Sequence, residues 1–424
     1  MFYKPLNEVD LNDLQLLVSN KVQEGTQLDY KLTEPEKNDD GKKEFLKDVS
    51  AFANTNGGYL IYGVEEQEIN KKKTGFAERV VGIEGLNTND LKLWMENLIR
   101  TNIEPRLVGI EFKEIIVSLT HTVLIVRIPR SWNSPHVVSF GKHWRFYARN
   151  SAGNYQMDVT QLRDLFNLGN TIPEKIEEKR NGRLSEIKRK YQTGKQIPLA
   201  TLVIQIYPFD SLRMGTSIDL SKAKVLNKFL SLGDKSNYDP KFNFDGLYFG
   251  ENNSYMQIFR NGVIEELNTR IFGKDESGEY FLNSKYLDWD LIKSVGWRLA
   301  LLKFLGIDSP IMLNISVLGI HNYKIKVRYA QMNQYFDKIL SNKSDRSDLI
   351  INPIFIETVS NLDLEGSIIE KNTEILNCWK TAENLLKPAF DSIWNAFGFE
   401  KCLYYDDEGI RIGYIKEYDR LLHI

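Results

Sequence analysis

Apolar and polar positions along this chain follow two periods, and the switches between them outline its elements. Between residues 10 and 21, Leu11, Leu14, Leu17 and Val18 recur at the spacing of one helical face, with Asp10 placed to cap it. Residues 28–32 alternate strictly, as a strand does, which sets Asp29 and Lys31 on one face. Residues 34–41 are polar, include Pro35 and Asp39-Asp40-Gly41, and predict a loop. Helical spacing returns over 42–54, with Leu46, Val49 and Ala53 inward and Lys43 and Lys47 outward. Asn56-Gly57-Gly58 then predicts a turn into a buried strand over 59–64. Its alternation groups Leu60, Tyr62, Val64 and Glu66 against Ile61, Gly63 and Glu65.

Further along, 67–75 predicts a hairpin or loop, 80–83 a strand, and 89–101 a helix with Leu91, Trp94, Leu98 and Ile99 inward. Strands are expected over 107–112, 122–128 and 144–149, and a helix over 158–168 closes the unit. Residues 1–168 therefore form one α+β domain of ordinary size. Charge then dominates 169–195, a helical linker, and 196–424 follows as a second α+β domain. There the pattern predicts helices over 221–232, 287–304 and 375–397, and strands over 199–206, 247–250 and 255–260. Residues 311–318 and 323–329 are expected as an antiparallel pair.

Composition narrows the classes. The chain has 424 residues, 42% of them hydrophobic, which suits folded domains and is too long for one ordinary core. Its 55 basic and 57 acidic residues leave a net charge of −2, so any attraction to phosphates must be local. Two cysteines, Cys378 and Cys402, exclude a disulfide scaffold and a four-cysteine zinc site. No signal core or membrane-length apolar run occurs, which predicts a soluble, cytoplasmic protein with no membrane role. A phosphate loop and a Gly-x-Ser-x-Gly elbow are both missing, and no histidine pairs with a cysteine as metal ligands do.

The chemistry concentrates between Glu24 and Glu66. Glu24-x4-Asp29-Tyr-Lys31 is followed by Ala51-Phe-Ala-Asn-Thr-Asn-Gly-Gly58 and Gly63-Val-Glu-Glu66. Later come Val81-Gly-Ile83, Ile103-Glu-Pro105, a run from Val123 to Pro129 with Ser134-Pro135, and Phe146-Tyr-Ala-Arg149. In this order the fragments resemble the Schlafen AlbA-type domain family, over roughly residues 20–168. The resemblance implies that fold and, by analogy with its endoribonuclease members, three acids that cut tRNA-like substrates. Those acids fall on Glu24, Asp29 and Glu66, with Lys31 beside them; Asp stands for Glu at the second position and Glu for Asp at the third. Glu65 is the alternative third acid, although alternation lets only one of the two join the site.

Three carboxylates would hold Mg²⁺ or Mn²⁺, which bind hard oxygen ligands and activate phosphodiester cleavage. Lys31 would stabilise the phosphate or orient the attacking water. Lys43, Lys47, Arg127, Arg130, Lys142, Arg145 and Arg149 are the candidate nucleic-acid contacts. Ordinary surface charge is the bland alternative for many lysines, Lys71 to Lys73 above all. Trp144, Phe146 and Tyr147 could stack on RNA bases, with a place in the core as the bland alternative. The expectation is a metal-dependent RNA endonuclease of bacterial stress or phage defence that cleaves tRNA, with tRNA-like RNA or DNA as its nucleic-acid partner. A homodimer and an activator of the second domain belong to it. A non-catalytic nucleic-acid-binding transcriptional regulator is the alternative.

Overall fold

The computed structural model describes residues 6–70, 72–192, 200–212, 216–221, 239–251, 254–307, 310–332, 334–357 and 375–415. The protein is α+β and divides into two compact units, Met1–Ile172 and Pro173–Ile424.

In the first unit, α1 (Leu11–Ser19) is capped by Asp10, whose carboxylate accepts from the N–H groups of Asn12 and Asp13. Strand β1 (Leu28–Lys31) leads through α2 (Asp39–Ala53) to β2 (Gly58–Tyr62), which lies parallel to β1 with Asp29 opposite Leu60 and Lys31 opposite Tyr62. Next come β3 (Val64–Ile69), β4 (Lys72–Val80), β5 (Ile83–Glu84), α3 (Thr88–Asn102), β6 (Ile103–Glu104), β7 (Glu111–Ile116) and β8 (His121–Ile128). The main sheet runs β1-β2-β8-β5, with β7 also paired to β8. A second sheet, in the order β11-β10-β9-β6, adds β9 (Val137–Phe140), β10 (His143–Asn150) and β11 (Gly153–Gln156). Helix α4 (Val159–Gln192) is continuous over 34 residues with Pro173 inside it, where separate segments were expected over 158–168 and 169–195.

Alternation gives the main sheet two apolar faces. Leu60, Tyr62, Leu124 and Val126 pack beneath Phe45, Leu46, Val49 and Phe52 of α2 and Leu91, Met95 and Ile99 of α3. Leu28, Tyr30, Ile61, Val123 and Ile125 pack with Leu14 and Leu17 of α1. Burying each such side chain stabilises the unit by roughly 1.5–3 kcal/mol. Two glycines join α2 to β2. Gly57 has φ +66°, and a Cβ on Gly58 would stand 2.5 Å from the Phe52 ring.

The expected face-sharing of Leu60, Tyr62, Val64 and Glu66 breaks at Gly63. Its φ of +96° ends β2 and reverses the parity, so Val64 packs with Ile61 instead of Leu60 and Tyr62.

In the second unit an eight-stranded sheet is built around β12 (Thr201–Pro208). β13 (Lys241–Phe242), β14 (Gly246–Glu251), β15 (Ser254–Phe259) and β16 (Ile264–Asn268) lead up to it, and β19 (Ile311–Leu318) follows it. A four-stranded sheet holds β17 (Phe272–Lys274), β18 (Tyr280–Asn283), β20 (Lys324–Gln331) and β21 (Gln334–Lys343). The edge strands β22 (Asp348–Ile350) and β23 (Ile354–Ile356) both pair with β19. Helices α5 (Ser284–Phe304) and α6 (Ile375–Asn395) contribute Leu291, Val295, Leu299, Leu386 and Phe390 to the core. The antiparallel pair expected between 311–318 and 323–329 does not form. β19 pairs with β12 in the large sheet, and β20 with β18 and β21 in the small one. Most of the helix expected over 221–232 lies outside the described residues.

Candidate functional site

On β1, Leu28 and Tyr30 are drawn into the core beside α1, so alternation turns Asp29 and Lys31 toward α2. That face is mostly apolar, and a charge there requires a partner. Asp29 has two: Arg149 Nη2 at 2.7 Å from Oδ1, and Lys31 Nζ at 2.9 Å from Oδ2. Lys31 also reaches Asp48 Oδ2 at 3.1 Å and Glu44 Oε1 at 3.2 Å. Burial pulls the Lys31 ammonium down, but Asp48 and Asp29 outweigh it and hold it above the usual lysine range. Burial raises Asp48, and Lys31 pulls it back. Asn154 Nδ2 donates to the other Asp48 oxygen.

The Ala51–Gly58 stretch assembles this network from a distance. Asn54 Nδ2 donates to the carbonyls of His136 and Tyr147, each at 2.9 Å, and its Oδ1 accepts from His136 N at 2.6 Å. Thr55 Oγ1 accepts from Arg149 N at 3.0 Å. These bonds fix β10 beside the end of α2 and aim Arg149 inward. Its guanidinium donates to Gly25 O, Leu28 O and Asn154 Oδ1 as well as Asp29, and stacks 4.7 Å over Phe52. Arg149 is buried, so the expected nucleic-acid contact is corrected: it is an internal strut whose donors are engaged.

Glu24 and Glu66 meet through Gly75 on β4. The N–H of Glu24 donates to Gly75 O at 2.7 Å, and the N–H of Gly75 donates to Glu66 Oε1 at 2.7 Å. Glu66 also pairs with Lys73 at 3.1 Å, whereas Glu65 pairs with Arg79. Glu24 Oε1 accepts the Tyr30 N–H at 2.6 Å. Burial first, then the charge of Asp29 and more weakly that of Glu66, pushes the Glu24 carboxyl up to about 7 despite that hydrogen bond and Arg149. Asp29 and Glu66 thus both act electrostatically on Glu24, with Glu66 rather than Glu65 as the third acid within reach.

Their oxygens suit a hard divalent cation in kind but not in placement. Asp29 already faces two cationic side chains, Glu66 a lysine and a peptide N–H, and among the described residues no group of three or more His, Cys, Asp or Glu is set to hold a metal ion. In this arrangement the acids do not fit a resident metal.

The other candidate contacts divide by exposure. Lys43, Lys142 and Arg145 are exposed and Lys47 is half-buried. Arg127 pairs with Glu111, and Arg130 lies 4.7 Å over the Trp132 ring. Trp144 is exposed, not part of the core. Lys71 lies outside the described residues.

Sequence reasoning passed over Asp48, Glu44, Asn154 and Gly75. Asp48 had a signal: it shares the inward helical face of Phe45, Val49 and Phe52, where a carboxylate needs a counter-charge.

The first unit is therefore an α+β domain with a half-buried cluster of mutually repelling acids. Residues 24–158 match the family model described as Schlafen, AlbA_2, so this unit carries a Schlafen AlbA-type domain. The family is linked to nucleic-acid processing, and a nucleic-acid-related function follows for the domain. The DIP2311 protein of Corynebacterium diphtheriae is similar at 21% identity and TM-score 0.23, over 35% of this chain and 26% of that one. This chain thus spans about a quarter of that structure's length. The N-terminal domain of a RecG-related protein from Nitrosomonas europaea is similar at 22% identity and TM-score 0.26, over 36% of this chain and 94% of that one. No curated protein matches the chain. Among the described residues, no helix is long and apolar enough to cross a membrane.

Proposed function

We propose that the first unit is an RNA endonuclease, with tRNA as its substrate and Glu24, Asp29 and Glu66 as its reactive acids. The observation that carries this reading is the convergence on Glu24. A half-buried carboxyl, tied through Gly75 to Glu66 and adjacent to Asp29, is held near neutral pH, where a general base works best. Glu24 would take the proton of the attacking hydroxyl or water, and a cationic side chain would offset the charge growing on phosphate. Lys73 is the more available cation, because Lys31 is held by three acids.

Dependence on Mg²⁺ or Mn²⁺ is part of the proposal, although Lys31 and Arg149 would have to release Asp29, and Lys73 Glu66, first. A homodimer enclosing the RNA, an activator acting on residues 196–424, and a role in stress or phage defence complete it. The test is incubation of the full chain with total tRNA in Mg²⁺, in Mn²⁺ and in EDTA, beside Glu24→Gln. Fragments that the variant fails to make support the nuclease, and the EDTA arm reads the metal. Equal cleavage by the variant sinks the assignment of Glu24. Light scattering reads the dimer, and a fully active monomer removes it.

One observation favours a second reading, a nucleic-acid-binding regulator without catalysis. Asp29, Lys31, Asp48 and Arg149 form a network of paired charges, as a purely structural core would. Salt-sensitive RNA binding that survives every acid-to-alanine change, with no cleavage in any metal, would decide for it.

A further inference from the structure

The β9–β10 hairpin turns at Gly141-Lys142, with Phe140 opposite His143 and Ser139 opposite Trp144. Lys142, His143, Trp144 and Arg145 are all exposed, Trp144 to 67%. Alternation puts Trp144 and Phe146 on one face of β10, and Arg145 on the other. Phe146 meets the Phe166 ring of α4 edge to face at 6.2 Å, and Phe166 is itself 55% exposed. Three aromatic rings therefore follow one another inward from the hairpin tip. Two strand residues advance by about 7 Å, near two stacking steps of about 3.4 Å each.

The hairpin that carries the first two rings has one sign of charge along its own chain. From Ile115 through Met157 the chain contains no Asp or Glu, although it has 57 acids in 424 residues. Within that run Arg127 and Arg149 are paired internally, whereas Lys142 and Arg145 join no ion pair among the described residues. An open indole flanked by open cations, on a hairpin that carries no carboxylate of its own, suits a strand whose bases are unpaired. Every base offers a π face for stacking, and a duplex hides it.

We propose that this hairpin is a binding finger for single-stranded nucleic acid. A base stacks on Trp144 and the next lies toward Phe146 and Phe166, while Lys142 at the turn and Arg145 on the opposite face of the strand supply the positive field that draws the flanking phosphates. The proposal rests on the nucleic-acid reading above and is independent of cleavage.

Fluorescence anisotropy with labelled oligo(U), oligo(dT) and an RNA duplex of equal length tests it, using the full chain as Glu24→Gln so that the RNA survives. Trp144→Ala should weaken single-strand binding by about tenfold or more, and Trp144→Phe should recover most of it. Lys142→Ala with Arg145→Ala should lower the slope of log affinity against log salt by about 1.4. The two single-stranded probes read whether RNA and DNA differ. Unchanged affinity in a folded Trp144→Ala chain, or tighter duplex than single-strand binding, overturns the finger. Failure to bind any probe at low salt overturns both the finger and the nucleic-acid reading. Trp144-dependent binding by a wild-type chain that cuts nothing keeps the finger and removes only the nuclease.

Discussion

Glu265 and Glu266 are neighbours on β16 and both are buried, yet neither lacks a counter-charge. Glu265 accepts from Arg183 at 2.7 Å, Gln205 at 3.0 Å and Tyr255 at 3.0 Å; Glu266 accepts from Arg298 at 2.9 Å and Ser294 at 2.7 Å. Glu24 in the first unit has a peptide N–H as its hydrogen-bond donor, and burial, with the charges of Asp29 and Glu66 added to it, raises it to about 7. A buried acid matched by its own arginine acts as scaffold. A half-buried acid short of counter-charge is where a proton, a cation or a substrate can act.

The largest expected effect breaks the scaffold side of this contrast. Glu266→Ala strands the Arg298 guanidinium in the core and should cost about 3–5 kcal/mol in denaturant unfolding. A loss below about 1 kcal/mol would mean that the pair contributes little. Next comes Arg149→Ala, which removes the donors to Asp29, Gly25, Leu28 and Asn154 and should cost about 3 kcal/mol. It should also unsettle Lys31, read as lost cleavage even well below the unfolding midpoint.

Glu24→Gln sharpens the other side. Below about pH 4.5, where the wild-type carboxyl is itself protonated, it should change stability by less than about 1 kcal/mol, and it should abolish cleavage. The folded pKa of about 7 lies above the ordinary 4.5, so the folded chain keeps a proton that the unfolded chain releases between those values. This group's contribution to stability therefore falls as pH rises from about 4.5 to about 7, and that slope should vanish in the variant. A slope that persists assigns the titration to another group. The smallest effect is expected of Lys73→Ala, within about 0.5 kcal/mol because its side chain is exposed. Its effect should appear in cleavage rate instead.

Much of the first unit could be read from its pattern. The placement of Asp29 and Lys31 on one face needed only strand alternation, and the structure joins them at 2.9 Å. The inward positions of α2 were equally legible, because Leu46, Val49 and Ala53 repeat at helical spacing and are buried. The face of Val64 was misread because one positive φ at Gly63 resets a strand's parity without disturbing its hydrophobic run. Arg149 was misjudged because an arginine among aromatics looks the same in sequence whether its guanidinium meets water or an aspartate 120 residues away. Trp144 shows the reverse case, an aromatic in a strand pattern that the fold leaves exposed.

By itself the sequence determined the order of the elements, the acids that share a strand face and the family the domain resembles, since all three depend on local periodicity and residue identity. Only the tertiary structure decided that Asp48 and Arg149 close a charge network around Asp29 and Lys31. It also decided that Glu66 rather than Glu65 faces Glu24, and that Trp144 stands in solvent. Those outcomes depend on desolvation and on partners brought from distant parts of the chain, and burial is a property of the packed fold rather than of any one segment.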